Sequence, residues 1–398
     1  MDLTSTFTEY FATRPTLLAR APGRVNLLGE HVDYNAGPVL PAAIDRSVSL
    51  AATSSEDGII TLVAFDLRDP KTLTPCLVTF RLEALTEKKN IDGQHLPSWA
   101  RYPAGVAWSL LQAGYPLKGM QAVYTSDIPI GSGLSSSAAV EVAFAVAFQA
   151  LNGWAMDRMT LARLCQRAEN QYVGVSSGLM DQFASAHGVA GHALYFDTRD
   201  LTWEPVALPP ATSIVIADSG VRRSLTNSAY NERRAACEQA VEILQKYLPG
   251  LQSLRDLSPA EFAAYSEFLP QVIRRRAEHI VKEIARVGTA VIALRRGETR
   301  TFGALMFAGH ASLRDLYEVS IPELDTLVNI ARDLPGCYGA RLTGAGFGGC
   351  TVNLVEETQA SAFIDGLQRE YQRRTGYTAE YAPVYLCKAS AGATIEEL

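Results

Sequence analysis

Residues Pro129 to Phe144 read PIGSGLSSSAAVEVAF, a glycine- and serine-rich turn that opens directly into an apolar segment. Gly131 and Gly133 let the backbone approach a ligand closely, and Ser135, Ser136 and Ser137 supply hydroxyls. From Ser136 to Gln149 the apolar content is nearly continuous and Ala-rich, long enough to prefer helix over strand. The first turn of such a helix leaves backbone N–H groups without partners, and these point at whatever lies before it. The loop of Gly131, Ser132, Gly133, Leu134, Ser135, Ser136 and Ser137 is therefore a candidate anion site, with a nucleotide phosphate the obvious anion. It is not a Walker A loop, because no Lys stands at the required offset, nor a dinucleotide G-x-G-x-x-G. The competing reading is a plain Gly-Ser turn capping a core helix; three consecutive serines before an apolar helix weigh against it.

Towards the N-terminus, Val48–Thr53, Ile59–Phe65 and Leu77–Leu82 are short β-rich runs punctuated by Gly, Asp and Pro, which predicts strands and turns. Before them, APGRVNLLGEHVDYNAGPVLPAAI (Ala21 to Ile44) sets Arg24, Glu30, His31, Asp33, Tyr34 and Asn35 between apolar runs. Carboxylates and imidazole hydrogen-bond sugar hydroxyls, and apolar flanks would fix their geometry. A metal cluster and a structural polar turn are the other two readings, the first lacking an H-E-x-x-H or comparable spacing.

Towards the C-terminus, Leu161, Leu164, Cys165 and Ala168 recur at helical spacing, with Thr160 as the expected N-cap, Gly174 as the end and Glu169 on a different face. Ser213–Ala217 predicts a buried strand closed by a turn at Asp218, Ser219 and Gly220. Helix is expected over about Asn227–Tyr247 and Glu261–Leu294. The segment LTGAGFGGCTV (Leu342 to Val352) is either a backbone held against a ligand or a strand-connecting hairpin. The last strand expected is Ala382–Cys387. Strands and helices alternate without a clean βαβ rhythm, so the fold class expected is α+β or mixed α/β.

At 398 residues the chain suits two lobes with a cleft between them, divided near Asp197–Pro210. With 47% hydrophobic and 20% charged residues it has the composition of an ordinary folded protein. A net charge of -6 argues against a nucleic-acid partner. The run Arg274, Arg275, Arg276, with Glu278 and Glu283 nearby, reads as a solvated helix face. Six scattered cysteines without C-x-x-C pairs fit free thiols in a reducing compartment rather than a disulfide or zinc scaffold. MDLTSTFTEYFATRP lacks the basic and apolar regions of a secretory leader, and Ala138–Leu151 contains Glu141 and falls short of the roughly 20 residues that span a bilayer. A cytoplasmic location without membrane contact is expected.

In this order and at this separation, the three motifs resemble those of the GHMP small-molecule kinases. Within that superfamily GRVNLLGEHVDYNAGPVLP, GLMDQFAS (Gly178 to Ser185) and GVRRSLTNSAYNERR (Gly220 to Arg234) resemble the galactokinase family, and the similarity runs through essentially the whole chain. The resemblance implies an α+β, two-lobed fold, with an N-terminal lobe over residues 1–200, a C-terminal lobe over 201–398 and the active site in the cleft. It implies ATP-dependent phosphorylation of the anomeric hydroxyl of D-galactose, the first committed step of galactose catabolism, by a monomer or weak homodimer. Asp181 would be the general base or an orienter of the reacting hydroxyl, and Arg24 would keep it ionised and stabilise transition-state charge. Glu30, His31, Asp33, Gly178 and Tyr230 would form the sugar pocket. Ser136 or Ser137, with Glu169, would hold Mg²⁺. Trp99 and Tyr102 would flank the nucleotide base, although such aromatics also suit a core. Val32 and Arg223 stand where these signatures often have Thr and His, which leaves the hydroxyl pattern of the pocket open. A kinase for N-acetylgalactosamine or arabinose, and a sugar sensor without turnover, are the alternatives; Glu30, His31 and Asp33 favour galactose, and the intact GLSSSAA favours catalysis.

Overall fold

The computed structural model describes residues 2–222 and 226–398, with 226–228 as backbone only. Arg223, one of the two departures from the signature, lies outside the described residues.

Helix α1 (Leu3–Phe11) leads into strands β1 (Leu17–Asn26), β2 (Pro38–Val39), β3 (Pro41–Ser55), β4 (Ile59–Arg68) and β5 (Pro75–Arg81). Helix α2 (Arg101–Gln112), strand β6 (Gly119–Ser126) and helices α3 (Ser136–Asn152), α4 (Arg158–Arg167) and α5 (Met180–His187) follow. Strands β7 (His192–Asp197), β8 (Thr202–Ala207) and β9 (Thr212–Asp218) precede a helical run: α6 (Thr226–Leu244), α7 (Pro259–Tyr265), α8 (Gln271–Arg295), α9 (Thr299–Ser312) and α10 (Pro322–Asp333). The chain ends with β10 (Cys337–Thr343), β11 (Cys350–Glu356), α11 (Ala360–Thr375), β12 (Val384–Cys387) and β13 (Thr394–Glu397).

The strands form a six-stranded sheet in the order β13-β1-β3-β6-β4-β5, a four-stranded sheet β10-β11-β9-β12 and a three-stranded sheet β2-β7-β8. In the first, β4 and β6 run parallel and the other pairs antiparallel. Helix α3 packs on β1 and β3. Its residues Ala138, Ala139, Val142, Ala143, Phe144, Ala145, Val146, Ala147 and Phe148 are all buried, which is why the sequence shows no polar face there. The β1–β3 register shifts between Pro22 and Arg24, a bulge that re-aims the Arg24 side chain. Gly23 permits this close approach, since a Cβ there would lie 2.7 Å from the Leu134 carbonyl oxygen.

Two expectations change, and a third is decided between its readings. The cap of α4 is Asp157, whose carboxylate accepts from the Thr160 N–H, so Thr160 lies inside the first turn. The Arg-rich run on α8 is a solvated face only in part: Arg274 is exposed and Arg275 and Glu278 are half-buried, but Arg276 and Glu283 are buried. Arg276 donates to the Leu316 carbonyl and pairs with Glu318, while Glu283 receives Arg341 Nη1 at 2.7 Å, the Gly29 N–H at 2.9 Å, and Arg286. The glycine-rich segment is a hairpin turn between β10 and β11, and Gly344 and Ala345 of that turn line the cleft.

Candidate active site

A cavity of about 810 Å³ opens between the phosphate loop, the loop after β1 and the start of α5. Arg24, Glu30, His31, Asp33, Gly131, Gly133, Ser135, Ser136, Ser137, Glu169, Gly178, Asp181, Tyr230, Trp99 and Tyr102 all line it. Ser132 and Leu134 do not. The Ser132 hydroxyl turns back to the Pro129 carbonyl at 2.6 Å and Leu134 is a core side chain, so these two shape the loop through their backbone.

At the centre, Arg24 Nε donates to Asp181 Oδ1 at 2.8 Å, with Nη2 2.6 Å from the same oxygen, while Nη1 donates to the Gly133 carbonyl at 2.7 Å. Ser135 Oγ donates to the other carboxylate oxygen, Oδ2, at 2.6 Å. Asp181 is the second residue of α5 and does not cap it; its side chain keeps 27% exposure, towards the cleft. One guanidinium thus ties the carboxylate to the phosphate loop. Ser135 reaches this position with φ +59°, in the left-handed region, and its hydroxyl serves Asp181 rather than standing free for a phosphate.

The sugar-motif loop is held from both sides. Glu30 is buried; its Oε2 accepts from Asn26 Nδ2 at 3.0 Å and its Oε1 from the Gly344 N–H at 2.8 Å. Burial raises its carboxyl, with Arg341 and Arg24 pulling the other way. The His31 ring lies between the Tyr34 hydroxyl, 2.9 Å from Nδ1, and the Ala345 carbonyl, 3.1 Å from Nε2. Burial first, and then the charge of Asp181, push Asp33 up to about 7. The Tyr230 ring stacks at a tilt on His31, centroids 5.5 Å apart.

Behind the serine turn, the Glu169 carboxylate accepts from Ser137 Oγ at 3.2 Å, Gln182 Nε2 at 2.8 Å, and Ser177 Oγ. Burial raises its carboxyl, most strongly opposed by the Ser177 hydroxyl. It sits in a six-residue π-turn, Ala168–Val173, that continues α4 and swings it to the cleft. One carboxylate with serine hydroxyls is a hard-oxygen donor set that fits Mg²⁺, an ion that keeps several waters and phosphate ligands. Among the described residues no group of three or more His, Cys, Asp or Glu is placed to hold a metal ion, so the metal-cluster reading of Glu30, His31 and Asp33 falls away. At the far end Trp99 and Tyr102 stand with Phe65, Leu67 and Tyr124, giving an apolar slot for a planar group. Ser177, Gln182, Asn26, Phe65 and Tyr124 were not singled out from the sequence; Asn26 and Gln182, inside the Ala21–Ile44 and Gly178–Ser185 motifs, were within its reach.

Comparison with known proteins shows the family. The galactokinase galactose-binding signature matches residues 5–54, the GHMP kinases N terminal domain residues 101–189, and the GHMP kinases C terminal domain residues 290–373. The chain is 46% identical over 391 residues to the galactokinase of Roseiflexus sp., covering 98% of this chain and 96% of that one. It is 41% identical to the galactokinase of Homo sapiens, over 98% and 94% of the two chains. The crystal structure of Lactococcus lactis galactokinase complexed with galactose superposes with a TM-score of 0.91 at 36% identity, over 98% of each chain. The Methanococcus jannaschii mevalonate kinase, 18% identical and covering 94% of this chain and 98% of its own, shares the fold with a TM-score of 0.61. With whole-chain identity to galactokinases and a cleft that gathers both signature loops, this chain belongs to the galactokinase family of GHMP kinases.

Proposed function

We infer that the chain transfers the γ-phosphoryl group of ATP to the anomeric hydroxyl of D-galactose, giving galactose 1-phosphate and ADP. The observation that carries the mechanism is the Arg24 guanidinium, which bonds Asp181 of the sugar side and the Gly133 carbonyl of the phosphate side at once. Asp181 orients the C1 hydroxyl and takes its proton as the oxygen attacks the γ-phosphorus; the bond to the β-phosphate oxygen breaks and ADP leaves. Arg24 holds the Asp181 carboxylate in place and faces the charge that builds on the transferring group. Ser135 fixes the second carboxylate oxygen. Glu30, His31, Asp33, Gly178 and Tyr230 form the sugar pocket, where buried acceptors reject analogues that leave them unpaired.

Glu169 and Ser137, in mutual contact, would hold Mg²⁺, with Ser136 beside them at the cleft wall. When bound, the ion screens the phosphate charge. Trp99 and Tyr102 flank the adenine. The proposed lobes, residues 1–200 and 201–398, share the β7–β8 hairpin, and β13 of the second pairs with β1 of the first. The working unit proposed is a monomer or weak homodimer. Six free cysteines support a reducing, cytoplasmic setting, and no helix among the described residues is long and apolar enough to cross a membrane.

The test is ADP release with MgATP and galactose, N-acetylgalactosamine, glucose or arabinose. Turnover with galactose and formation of galactose 1-phosphate is expected. Preference for another sugar, or silence with thermal stabilisation by galactose, would sink the reading.

A further inference from the structure

Helix α3 carries a single charged side chain, Glu141, and it is fully buried. It follows Ser137 by one helical turn, so the two share a face of the helix. Both reach the Glu169 carboxylate, by different routes. Ser137 Oγ donates directly to Glu169 Oε1 at 3.2 Å. Glu141 reaches the other oxygen through Gln182 of α5, whose Nε2 lies 2.9 Å from Glu141 Oε2 and 2.8 Å from Glu169 Oε2. Neither Glu141 nor Gln182 lines the cleft.

An amide nitrogen has two hydrogens, and here each has one carboxyl to go to. The amide oxygen of Gln182 is buried without a partner among the described residues, so all the bonding of this side chain goes to the two acids. A buried oxygen left unpaired is costly, and an apolar residue would serve better if filling the core were the purpose. Burial, before any other cause, holds the Glu141 carboxyl well above the usual carboxylate range, so it adds an acceptor here without a second charge. The two oxygens of Glu169 are thus held unequally. Oε2 takes Gln182 Nε2 and the Ser177 hydroxyl, which occupies both its lone pairs, whereas Oε1 takes Ser137 alone and keeps one lone pair beside the serine turn.

We propose that Gln182 is a positioning residue for the metal carboxylate: its amide, tied to α3 by Glu141, holds Oε2 of Glu169 and leaves Oε1 to the ion. Asp181 is the preceding residue of α5, so the first turn of that helix serves both the proton acceptor and the metal ligand. Without the amide, Glu169 is held by two hydroxyls that can swivel, and the ion must order the carboxylate as it binds. This inference rests on the reading of Glu169 and Ser137 as the Mg²⁺ site.

The test measures, by calorimetry on the full chain, the affinity for the non-hydrolysable ATP analogue adenylyl imidodiphosphate with excess Mg²⁺ and with EDTA. The gain in affinity from the ion is the readout, and the parent should show one. Gln182→Leu should cut that gain about 10-fold, as for loss of a group that orients a metal ligand, and leave the affinity in EDTA within about two-fold. Glu141→Leu, which leaves the amide one anchor, should cut it about five-fold, the size of one lost neutral hydrogen bond. Glu141→Gln keeps an acceptor for Gln182 and should stay within about two-fold of the parent. An unchanged gain in Gln182→Leu would overturn the proposal, and so would equal weakening with and without the ion, which marks a purely structural tie. Equal losses in Glu141→Gln and Glu141→Leu would overturn the part given to Glu141. Should Gln182→Leu fail to fold, Glu141→Leu decides by the same readout. Glu169→Ala tells the two readings apart: if it keeps the parent's gain, the metal reading falls and the brace with it. If Glu169→Ala loses the gain while Gln182→Leu keeps it, the metal site stands and the brace alone fails.

Discussion

Gly178 stands so close to Asp33 that a Cβ on it would lie 1.8 Å from Asp33 Oδ2. No side chain fits there without displacing the carboxylate, and Gly178 precedes by three residues Asp181, which also lines the cleft. The Gly178→Ala variant should therefore fold and lose sugar affinity. A KM for galactose raised about 10- to 100-fold, the range for a misplaced charged hydrogen-bond partner, is expected with an unchanged melting temperature. An unchanged KM would remove Asp33 from the pocket.

Arg24 and Asp181 should lose rate rather than affinity. Asp181→Ala should lower kcat by about 10²–10⁴-fold, the range for removal of a positioned proton acceptor. Arg24→Ala should lower kcat and kcat/KM together, because its partner charge develops in the transition state. Single-turnover measurement of phosphoryl transfer separates this from slow product release; a loss confined to KM would contradict the assigned role.

Asp33 makes stability depend on pH. Its folded-state proton is held up to about 7, against 3.8 ordinarily, so the folded chain binds more protons than the unfolded one across that window. Stability is thus largest below about 4 as far as this group is concerned and is lost as pH rises towards 7. Asp33→Asn removes the cost, so the ligand-free variant should gain about 2–4 °C over the parent at pH 8 and little at pH 5. Differential scanning fluorimetry at the two pH values checks it. Since Asp181 is the charge that helps raise Asp33, an Asp181→Asn background should shrink the difference; a gain equal at both pH values would refute the coupling.

Arg341 and Glu283, both fully buried, tie β10 to α8 beneath the sugar loop. Burial pushes the Glu283 carboxyl up, but Arg341 foremost and then Arg286 overcome it and hold the group well below the usual carboxylate range. The stability this supplies is present above pH 4.5 and is lost as pH falls below it. Arg341→Met should cost about 3–5 kcal/mol in urea unfolding, because it leaves part of a buried charge uncompensated. Since Glu283 also accepts from the Gly29 N–H next to Glu30, galactose affinity should weaken in the same variant. A loss below about 1 kcal/mol would show that the pair is replaceable.

The sequence made the local elements legible where periodicity was strong. The serine turn and α3 were readable because an Ala-rich run with no polar face can only be a buried helix, and the short strands were bounded by Gly, Asp and Pro. Caps were less secure: Asp157 and Thr160 are both good capping residues, and only backbone geometry chose between them. The Arg274–Arg276 run misled because charge on a helix says nothing of what packs against it. Arg276 is buried by the turn around Leu316 to Glu318, some 40 residues further on.

The candidate site divides in the same way. Spacing and residue type gave Arg24, the Glu30–Asp33 loop, the serines and Asp181, because groups that must meet a charged or hydroxyl-rich ligand are polar residues set among glycines or apolar anchors. Ser132 and Leu134 belonged to the same loop by sequence and not by side chain, since a turn alternates which residues face outward. The Arg24–Asp181 bond spans 157 positions, and the Glu30–Gly344 bond 314. No periodicity encodes such distances. Local sequence determined the helices, the turns and the chemical kinds of group available; packing of β1 against the phosphate loop, and of the C-terminal hairpin against the sugar loop, decided which of those groups meet, because close packing and the pairing of buried polar groups are satisfied only by the whole chain at once.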